Sequence, residues 1–320
     1  MKKADNKAKR LIRDVWNDYS VSVVFVILIS LCGIMAPTFF KWNNFMAIFR
    51  NCSAVGIIAL GMTFVIIAGG IDLSIGSNFA ACGVILVILQ GQIGLPLALC
   101  VLITCVFGAL VGFANGAIIA KAKLPPFIVT LATQVFLRSV VKYVTNGATI
   151  RGVKDEFFTG IGNGNLIGNF PLPFAIFLVV AILMHILLSK TKFGTYVYAV
   201  GGNEMTAKYT GIKVDQTKIM TYMLIGLMAA LAATIEVSRM ASVSPTVSGV
   251  DYELEAVTSA IVGGTSFNGG KGKIAGTVLG AIILFIITNM IIHLNVSAYL
   301  SGAVKGIVIL VAVLLQKRDN

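Results

Sequence analysis

Runs of about 20 predominantly apolar residues recur along almost the whole chain. A run of that length, coiled as an α-helix, crosses the roughly 30 Å hydrocarbon core of a bilayer. Of the 320 residues, 57% are hydrophobic and only 12% are charged, about half the charge of an average soluble protein. A transmembrane β-barrel would show alternating segments of about ten residues, and the sequence has none. The sequence therefore predicts an all-α polytopic membrane protein.

The apolar runs predict about ten transmembrane helices in a single domain, residues 21–315. A basic segment, 1–20, precedes this domain and a short tail, 316–320, follows it. The predicted spans are 21–36, 45–69, 73–90, 95–119, 126–145, 172–188, 217–237, 254–262 with its flank, 274–293 and 297–315. Because the eighth segment is short and bounded by glycine, an eight-span arrangement stays open.

Basic residues are distributed unevenly between the loops that these spans predict. If the N-terminus is cytoplasmic, 17 Lys and Arg residues fall in or beside inside loops and five fall outside. This asymmetry follows the positive-inside rule and predicts that both termini are cytoplasmic. The net charge of +12 is therefore an orientation signal. No basic patch interleaved with aromatic residues follows, so we expect a lipid bilayer and not nucleic acid as the partner.

Residues that carry chemistry are sparse in this sequence. All five cysteines lie in or beside apolar runs without a Cys-x-x-Cys pair, and His185 and His293 stand apart from each other. Isolated histidines supply neither a nucleophile–base pair nor a set of metal ligands. We therefore expect this chain not to be an enzyme and to hold no cofactor or metal.

The segment Gly61–Ser77 interrupts the apolar pattern. An apolar run ends at Gly69-Gly70, passes Asp72 and Ser74, and then resumes. A carboxylate inside an apolar chain costs several kcal/mol to desolvate unless it is paired or caps a helix. Either Asp72 or Ser74 satisfies the first free N–H groups of the next helix, or Asp72 lines a path or gate for a polar solute. Both interpretations stay open.

The longest polar insertion, 189–218, is predicted to be cytoplasmic and to contain one short helix, Asn203–Gly211. Asn203 is suited to cap its first N–H groups, and Gly211 to end it in a left-handed conformation. Glu204 and Lys208 are four residues apart in the favourable order for an ion pair. Met205, Tyr209 and Ile212 form one apolar stripe, which packs either on the membrane domain or in a partner's groove.

The segment Gly264–Lys271 nearly matches the phosphate-binding pattern G-x-x-x-x-G-K-[ST]. Alignment on Lys271 requires glycine at 265 and serine or threonine at 272, whereas the chain has Thr265 and Gly272. A preceding strand is also missing from the predicted elements. We interpret this segment as a glycine-rich cytoplasmic turn between the eighth and ninth spans, so ATP hydrolysis by this chain is not expected.

Three segments together carry a resemblance to a known family. They are Gly61–Ser77, the Gly201-Gly-Asn-Glu204 sequence of the insertion, and Ala260–Ile274. In order and spacing the chain resembles, from about Ala36 to Leu315, the permease subunits of bacterial ABC importers for ribose and related monosaccharides. The resemblance implies a multi-pass protein of the bacterial cytoplasmic (inner) membrane.

The resemblance also implies partners. Two permease subunits, identical or paralogous, would form the pathway, an extracytoplasmic sugar-binding protein would deliver the sugar, and a separate ATPase pair would use ATP and magnesium. The short helix of the insertion would then be the ATPase-coupling helix. Its candidate residues are Asn203, Glu204, Met205, Lys208, Tyr209 and Gly211.

A path for neutral sugar hydroxyls needs hydrogen-bonding and aromatic side chains more than strong charge. The candidates for the translocation pathway or gate are Thr63, Phe64, Asp72, Ser74, Asn78, Asn115, Thr130 and Asn146. At the outer side, Glu236 and Arg239 have the spacing of a helix-surface ion pair, and Asp251, Glu253 and Glu255 form an acidic cluster. Glu236, Arg239, Asp251 and Glu253 are the candidates for an outer gate or for docking of the binding protein. The rival hypothesis is an ion-coupled secondary transporter of a small polar solute, which also uses broken helices.

Overall fold

The computed structural model describes residues 39–152 and 155–293, together with Ser30, Leu300, Gly302, Ala303 and Gly306. Apart from these isolated positions, the predicted spans 21–36 and 297–315 lie outside the described residues. The helices are α1 (Trp42–Ile67), α2 (Ile75–Gly91), α3 (Leu97–Ala122), α4 (Pro126–Val144), α5 (Glu156–Asn163), α6 (Leu172–Lys190), α7 (Lys192–Gly202), α8 (Glu204–Tyr209), α9 (Val214–Met240), α10 (Tyr252–Val262) and α11 (Ile274–His293). Two short strands, β1 (Ile150–Arg151) and β2 (Ser242–Val243), pair antiparallel.

Six helices within the described residues are long and apolar enough to cross a membrane: α1, α3, α4, α6, α9 and α11. The remaining two predicted spans in this part of the chain are shorter. Helix α2 has 17 residues and α10 has 11, so α10 covers only about 16 Å. The polytopic helical architecture is confirmed, and α2 and α10 are shorter than typical spans.

Helix α1 is the central helix of the bundle, because 89% of its most apolar window is buried. Helices α9, α10, α11 and α6 all pack against it. Large fully buried side chains of α1, among them Ile57, Leu60, Met62 and Phe64, fill the apolar core. An all-round apolar helix is expected in such a position, since no face of it needs to meet water or lipid headgroups.

Helices α3 and α9 pack closely along much of their length. Gly108, Gly112 and Gly116 form a row on α3, and a Cβ added at any of them would contact the backbone of α9. Small residues four apart allow two membrane helices to approach closely. The spacing Gly-x-x-x-Gly-x-x-x-Gly is visible in the sequence and could have predicted this contact.

The connections between helices gather at two opposite ends of the bundle. One end, called here the lysine-rich end, holds the connections 68–74, 123–125, 191–213 and 263–273. Its lysines are Lys121, Lys123, Lys190, Lys192, Lys208, Lys213, Lys218, Lys271 and Lys273. The opposite end holds β1, β2 and α5. The segment 145–173 at this end contains the strand β1 and the helix α5, whose first turn is capped by Asp155 through hydrogen bonds from the N–H groups of Phe157 and Phe158.

Candidate functional site

The broken segment after α1 turns back into the protein. Helix α1 ends at Ile67, and Gly69 adopts a left-handed conformation (φ +81°) that reverses the chain. The hydroxyl of Tyr222 in α9 donates to the carbonyl of Ile71 at 3.1 Å. Asp72 and Ser74 are 1% and 0% exposed. The prediction of a break between two helices is confirmed, and its polar side chains lie inside the protein.

A chain of hydrogen bonds runs from this break to α4. The backbone N–H and the hydroxyl of Ser74 both donate to Asp72 Oδ1, at 2.8 and 2.6 Å. Asn115 Nδ2 of α3 donates to Ser74 Oγ at 2.9 Å. Thr133 Oγ1 of α4 then donates to Asn115 Oδ1 at 2.6 Å. This polar chain, Asp72–Ser74–Asn115–Thr133, fastens the break to two membrane helices.

The hydrogen bonds show how far Asp72 and Ser74 cap the start of α2. Asp72 accepts one N–H at the start of α2, that of Ser74, while the Ser74 side chain forms no bond to the first turn. The hydroxyl of Ser74 is engaged by Asp72 and Asn115 instead. Asp72 therefore orders the turn into α2, and its role in a pathway or gate stays a prediction.

The other predicted pathway residues are dispersed. Thr63 contacts Thr277 of α11 at 2.7 Å, and Phe64 stacks on Phe193 with ring centroids 6.0 Å apart. Asn78 donates to the carbonyl of Gly108 at 3.3 Å, one turn from Ser74. Two more lie apart from this network: Thr130 bonds the carbonyl of Pro126 in its own helix, and Asn146 follows α4 in a left-handed conformation, φ 51°. Of the eight predicted pathway residues, all of which the structure describes, Asp72, Ser74 and Asn115 share one network of side-chain hydrogen bonds.

Helix α8 has the predicted caps. The side chain of Asn203 accepts from the N–H of Thr206 at 2.9 Å, and Gly211 is left-handed at φ +84°. Met205 is 59% exposed and Tyr209 is 81% exposed, whereas Ala207 is buried. Met205 and Tyr209, two of the three residues of the predicted apolar stripe, therefore do not pack on the membrane domain.

The predicted ion pair between Glu204 and Lys208 is wrong. Glu204 Oε2 instead pairs with Nζ of Lys218 in α9 at 2.7 Å. The helix is so short that its first residue lies close to the first turns of α9, and this tertiary contact replaces the pairing within the helix. The pair connects α8 directly to a membrane-spanning helix.

A cavity of about 840 Å³ opens at the lysine-rich end. Its wall joins the start of the broken segment, Gly69 and Gly70, to the α3–α4 connection and to the region from α8 to α9. The charged side chains that line it are Lys123, Glu204, Lys208, Lys213, Asp215 and Lys218. The break and the short helix therefore share one cationic cavity.

The glycine-rich segment 263–273 is a turn that joins three backbones. The N–H of Gly270 donates to the carbonyl of Ile67 at 2.9 Å, and a Cβ added at Gly201 would collide with that same carbonyl. The hydroxyl of Tyr198 donates to the carbonyl of Gly272 at 2.7 Å, and burial raises the pKa of this phenol. Helix α10, not a strand, precedes the segment. Its interpretation as a turn is confirmed, and the glycines allow close backbone contact.

At the opposite end, the predicted ion pair between Glu236 and Arg239 is confirmed. Arg239 Nη2 lies 3.3 Å from Glu236 Oε1, and Arg239 Nη1 donates to Asn51 of α1. The hydroxyl of Tyr252 contacts the same Glu236 oxygen at 3.4 Å. Whether this pair acts in a gate or in docking stays a prediction.

The acidic cluster predicted for this end does not form one surface. Asp251 is exposed in a left-handed conformation, φ 64°, whereas Glu253 is only 8% exposed. Glu253 points inward because it lies on the same face of α10 as buried Ala256 and Ala260, and its Oε1 accepts from Gln134 Nε2 of α4 at 3.2 Å. Glu253 is therefore not a solvated member of an acidic cluster, and its assignment to docking or to an outer gate stays a prediction.

Sequence reasoning missed the polar face of α4. Thr133, Gln134 and Arg138 all point toward the protein and are half-buried. Arg138 Nη1 donates to the carbonyls of Pro245 and Ser248, at 3.1 and 2.8 Å. The spacing of Thr130, Gln134 and Arg138 at four-residue intervals is the signal that could have revealed this face.

Comparison with known proteins places this arrangement in a family. A family model described as "Branched-chain amino acid transport system / permease component" matches residues 44–313. The chain belongs to this permease family. The resemblance to permease subunits noted from the sequence is thereby confirmed.

The permease is also similar to characterised relatives over nearly its whole length. It is 40% identical to the ribose import permease protein RbsC of Haemophilus influenzae over 295 residues, which cover 91% of this chain and 90% of the relative. It is 39% identical to RbsC of Escherichia coli K12, covering 93% of both chains, and 36% identical to the L-arabinose transport system permease protein AraH of that strain, covering 95% and 91%. These relatives are transport permeases and not enzymes. No solved structure matches the chain significantly.

Proposed function

We propose that this chain is the permease subunit of an ATP-driven importer for a monosaccharide, with ribose as the expected sugar. The observation that carries the proposal is the 40% identity to a ribose import permease over at least 90% of both chains. Identity at this level, without large insertions, supports the same fold and the same class of solute. The chain itself would form the pathway, and ATP and magnesium would act in a separate ATPase.

Two observations favour a sugar over an amino acid. The relatives named for a substrate transport ribose, L-arabinose or D-allose, although the family description names branched-chain amino acids. The interior of this chain also offers hydroxyl and amide groups in a connected network, at Ser74, Asn115 and Thr133. Such groups suit a neutral solute that both donates and accepts hydrogen bonds.

We propose that α8 couples the permease to its ATPase. Met205 and Tyr209 present an exposed apolar surface beside the cationic cavity, and an exposed two-turn helix is not stable by itself. The ion pair of Glu204 with Lys218 would transmit a displacement of α8 to α9. Through Tyr222, α9 contacts the broken segment at Ile71, so motion at the ATPase would reach the membrane interior.

The same reasoning supports a topology of ten spans with both termini in the cytoplasm. The lysine-rich end would face the cytoplasm, as the positive-inside rule predicts for a bacterial inner-membrane protein. The membrane domain would be 21–315, with the cytoplasmic insertion 189–218. The N-terminal tail would be 1–20 and the C-terminal tail 316–320. In this topology α2 would be a short span, and α10 would complete its span together with its flanking residues.

Further partners follow from the proposed function. A second permease subunit would complete the pathway, and an extracytoplasmic sugar-binding protein would dock at the end opposite the lysines. Asp251 is exposed at that end and is the acidic candidate for this contact, together with the Glu236–Arg239 pair. Nucleic acid is not expected to bind.

The proposal is tested by reconstituting the permease with its ATPase and its sugar-binding protein. Uptake of labelled ribose into proteoliposomes should require internal ATP, magnesium and external binding protein. The secondary-transporter hypothesis predicts instead that the permease alone accumulates solute when a proton or sodium gradient is imposed. Uptake that follows the gradient and ignores ATP would overturn the proposed function.

A further inference from the structure

The start of α2 meets the loop 244–251 inside the protein. A Cβ added at Gly76 would collide with the carbonyl of Gly249, and one added at Gly249 would collide with the carbonyl of Gly76. Gly249 also needs its left-handed conformation, φ +71°. The ring of Phe79 packs edge-on against Tyr252, 5.0 Å between centroids. This contact, the Gly76–Gly249 junction, joins the end of the broken segment to the start of α10.

Two buried polar atoms at this junction lack a hydrogen-bond partner among the described residues. They are Ser77 Oγ and Glu253 Oε2. Ser77 is 0% exposed and Glu253 is 8% exposed. An added Cβ at Gly76 would contact Glu253 Oε2, so this oxygen lies directly against the junction. Unpartnered buried polar atoms are costly and therefore rare, so two of them at one junction need an explanation, and a ligand that binds both is one.

Gln134 of α4 binds the second oxygen of the Glu253 carboxylate. Its Nε2 donates to the other Glu253 oxygen at 3.2 Å. Helices α2 and α4 run in the same direction, and Ala81 and Val84 of α2 share an apolar cluster with Val141 of α4. Ser77 directly follows Gly76 in the first turn of α2, and α2 packs against α4, the helix that carries Gln134. A hydroxyl, an amide and a carboxylate thus surround the junction.

We propose that Ser77, Gln134 and Glu253 form a hydroxyl-binding site that the transported sugar contacts when the Gly76–Gly249 junction opens. This inference rests on the proposed function and names the residues that recognise the sugar. The carboxylate accepts hydrogen bonds from sugar hydroxyls, and Ser77 and Gln134 both donate and accept. A neutral sugar forms hydrogen bonds with all three side chains without bringing a new charge into the membrane.

Arg138 limits when the site is accessible. Its guanidinium holds the carbonyls of Pro245 and Ser248, one turn of α4 beyond Gln134. The loop 244–251 and α4 therefore move together, and opening of the junction requires α2 to separate from this unit. The site lies between the broken segment after α1 and the loop 244–251, two irregular segments of the kind that transporters use around a substrate site.

The test compares ribose with its 2-deoxy, 3-deoxy and 5-deoxy analogues in the complete importer. Initial uptake is measured at saturating concentrations of each loaded binding protein, so differences in binding-protein affinity cancel. For at least one analogue, the wild-type permease should transport ribose about fivefold faster, the effect of one hydrogen bond. In Glu253→Gln and Ser77→Ala variants this ratio should fall toward one.

Matched controls use polar residues away from the junction. Glu156→Gln alters an exposed acid of α5, and Ser53→Ala removes a hydroxyl that bonds the carbonyl of Phe49 in its own helix. Both should keep the wild-type ratio. Because Ser77 Oγ is unpartnered, Ser77→Ala should leave the thermal stability of the permease unchanged or higher while it reduces the ratio. A purely structural serine would show the opposite pattern.

The two proposals fail in different ways. If the wild-type importer transports ribose with ATP but the ratios of all variants equal that of the wild type, the hydroxyl-binding site is refuted and the proposed function stands. Should Glu253→Gln not insert into the membrane, Ser77→Ala decides the same question. If the wild-type importer itself does not transport ribose, the proposed function fails first.

Discussion

Substitution of Gly112 by valine should loosen the contact on which the rest of the bundle depends. A Cβ at this position would lie 3.0 Å from the Cα of Met223 and closer still to the carbonyl of Tyr222. Ordinary carbon–carbon contacts need about 3.5–4.0 Å, so α3 and α9 must separate by roughly 1 Å. Because the obstructing atoms belong to a backbone, no side-chain rotation relieves the collision.

Overpacking of this kind costs about 1–3 kcal/mol, and for a chain of 320 residues 2 kcal/mol lowers the melting temperature by about 3 °C. The same displacement moves Tyr222 away from Ile71, so the broken segment should also lose its anchor. Thermal unfolding in detergent measures the first effect and ribose uptake measures the second. Ala114→Val, on the exposed face of the same helix, is the matched control. Equal melting temperatures for the two variants would refute the argument from packing.

Two further predictions concern the coupling helix and the polar chain. Met205→Asp should leave folding intact, since Met205 is 59% exposed, but it should abolish both co-purification of the ATPase and sugar-stimulated ATP hydrolysis. The matched control is Met240→Asp, at a methionine that is 58% exposed at the opposite end, and this variant should retain both activities. Normal co-purification with Met205→Asp would remove α8 from the interface. In a thermal unfolding assay, Asn115→Ala should lower the free energy of unfolding by about 1–3 kcal/mol, because it breaks hydrogen bonds to Ser74 and Thr133. Thr104→Ala loses only a hydrogen bond to its own helix and should have a smaller effect in the same assay.

Much of the architecture follows from hydrophobic length alone. The predicted spans 126–145 and 274–293 agree closely with α4 and α11, because an apolar run bounded by proline, glycine or lysine has definite ends. The break at Gly69-Gly70 was also predictable, since paired glycines and a carboxylate disrupt an apolar helix. The caps of α8 at Asn203 and Gly211 followed from local backbone chemistry.

The tertiary partners were not predictable from the same pattern. Glu204 has two lysines within reach, and only the packing of α8 against α9 selects Lys218 over Lys208. Glu253 resembles a surface acid in the sequence, yet the direction of α10 turns it toward Gln134. Helix α7 was missed because its residues are too polar for a span and too apolar for an evident surface helix. Each of these outcomes depends on neighbours that are far apart in the chain.

The most direct test of the account is uptake of labelled ribose by the reconstituted permease, measured with and without ATP, its ATPase and its binding protein. We expect accumulation only when all three are present, with no effect of an imposed proton or sodium gradient. Accumulation driven by an ion gradient in vesicles that contain this chain alone would contradict the account.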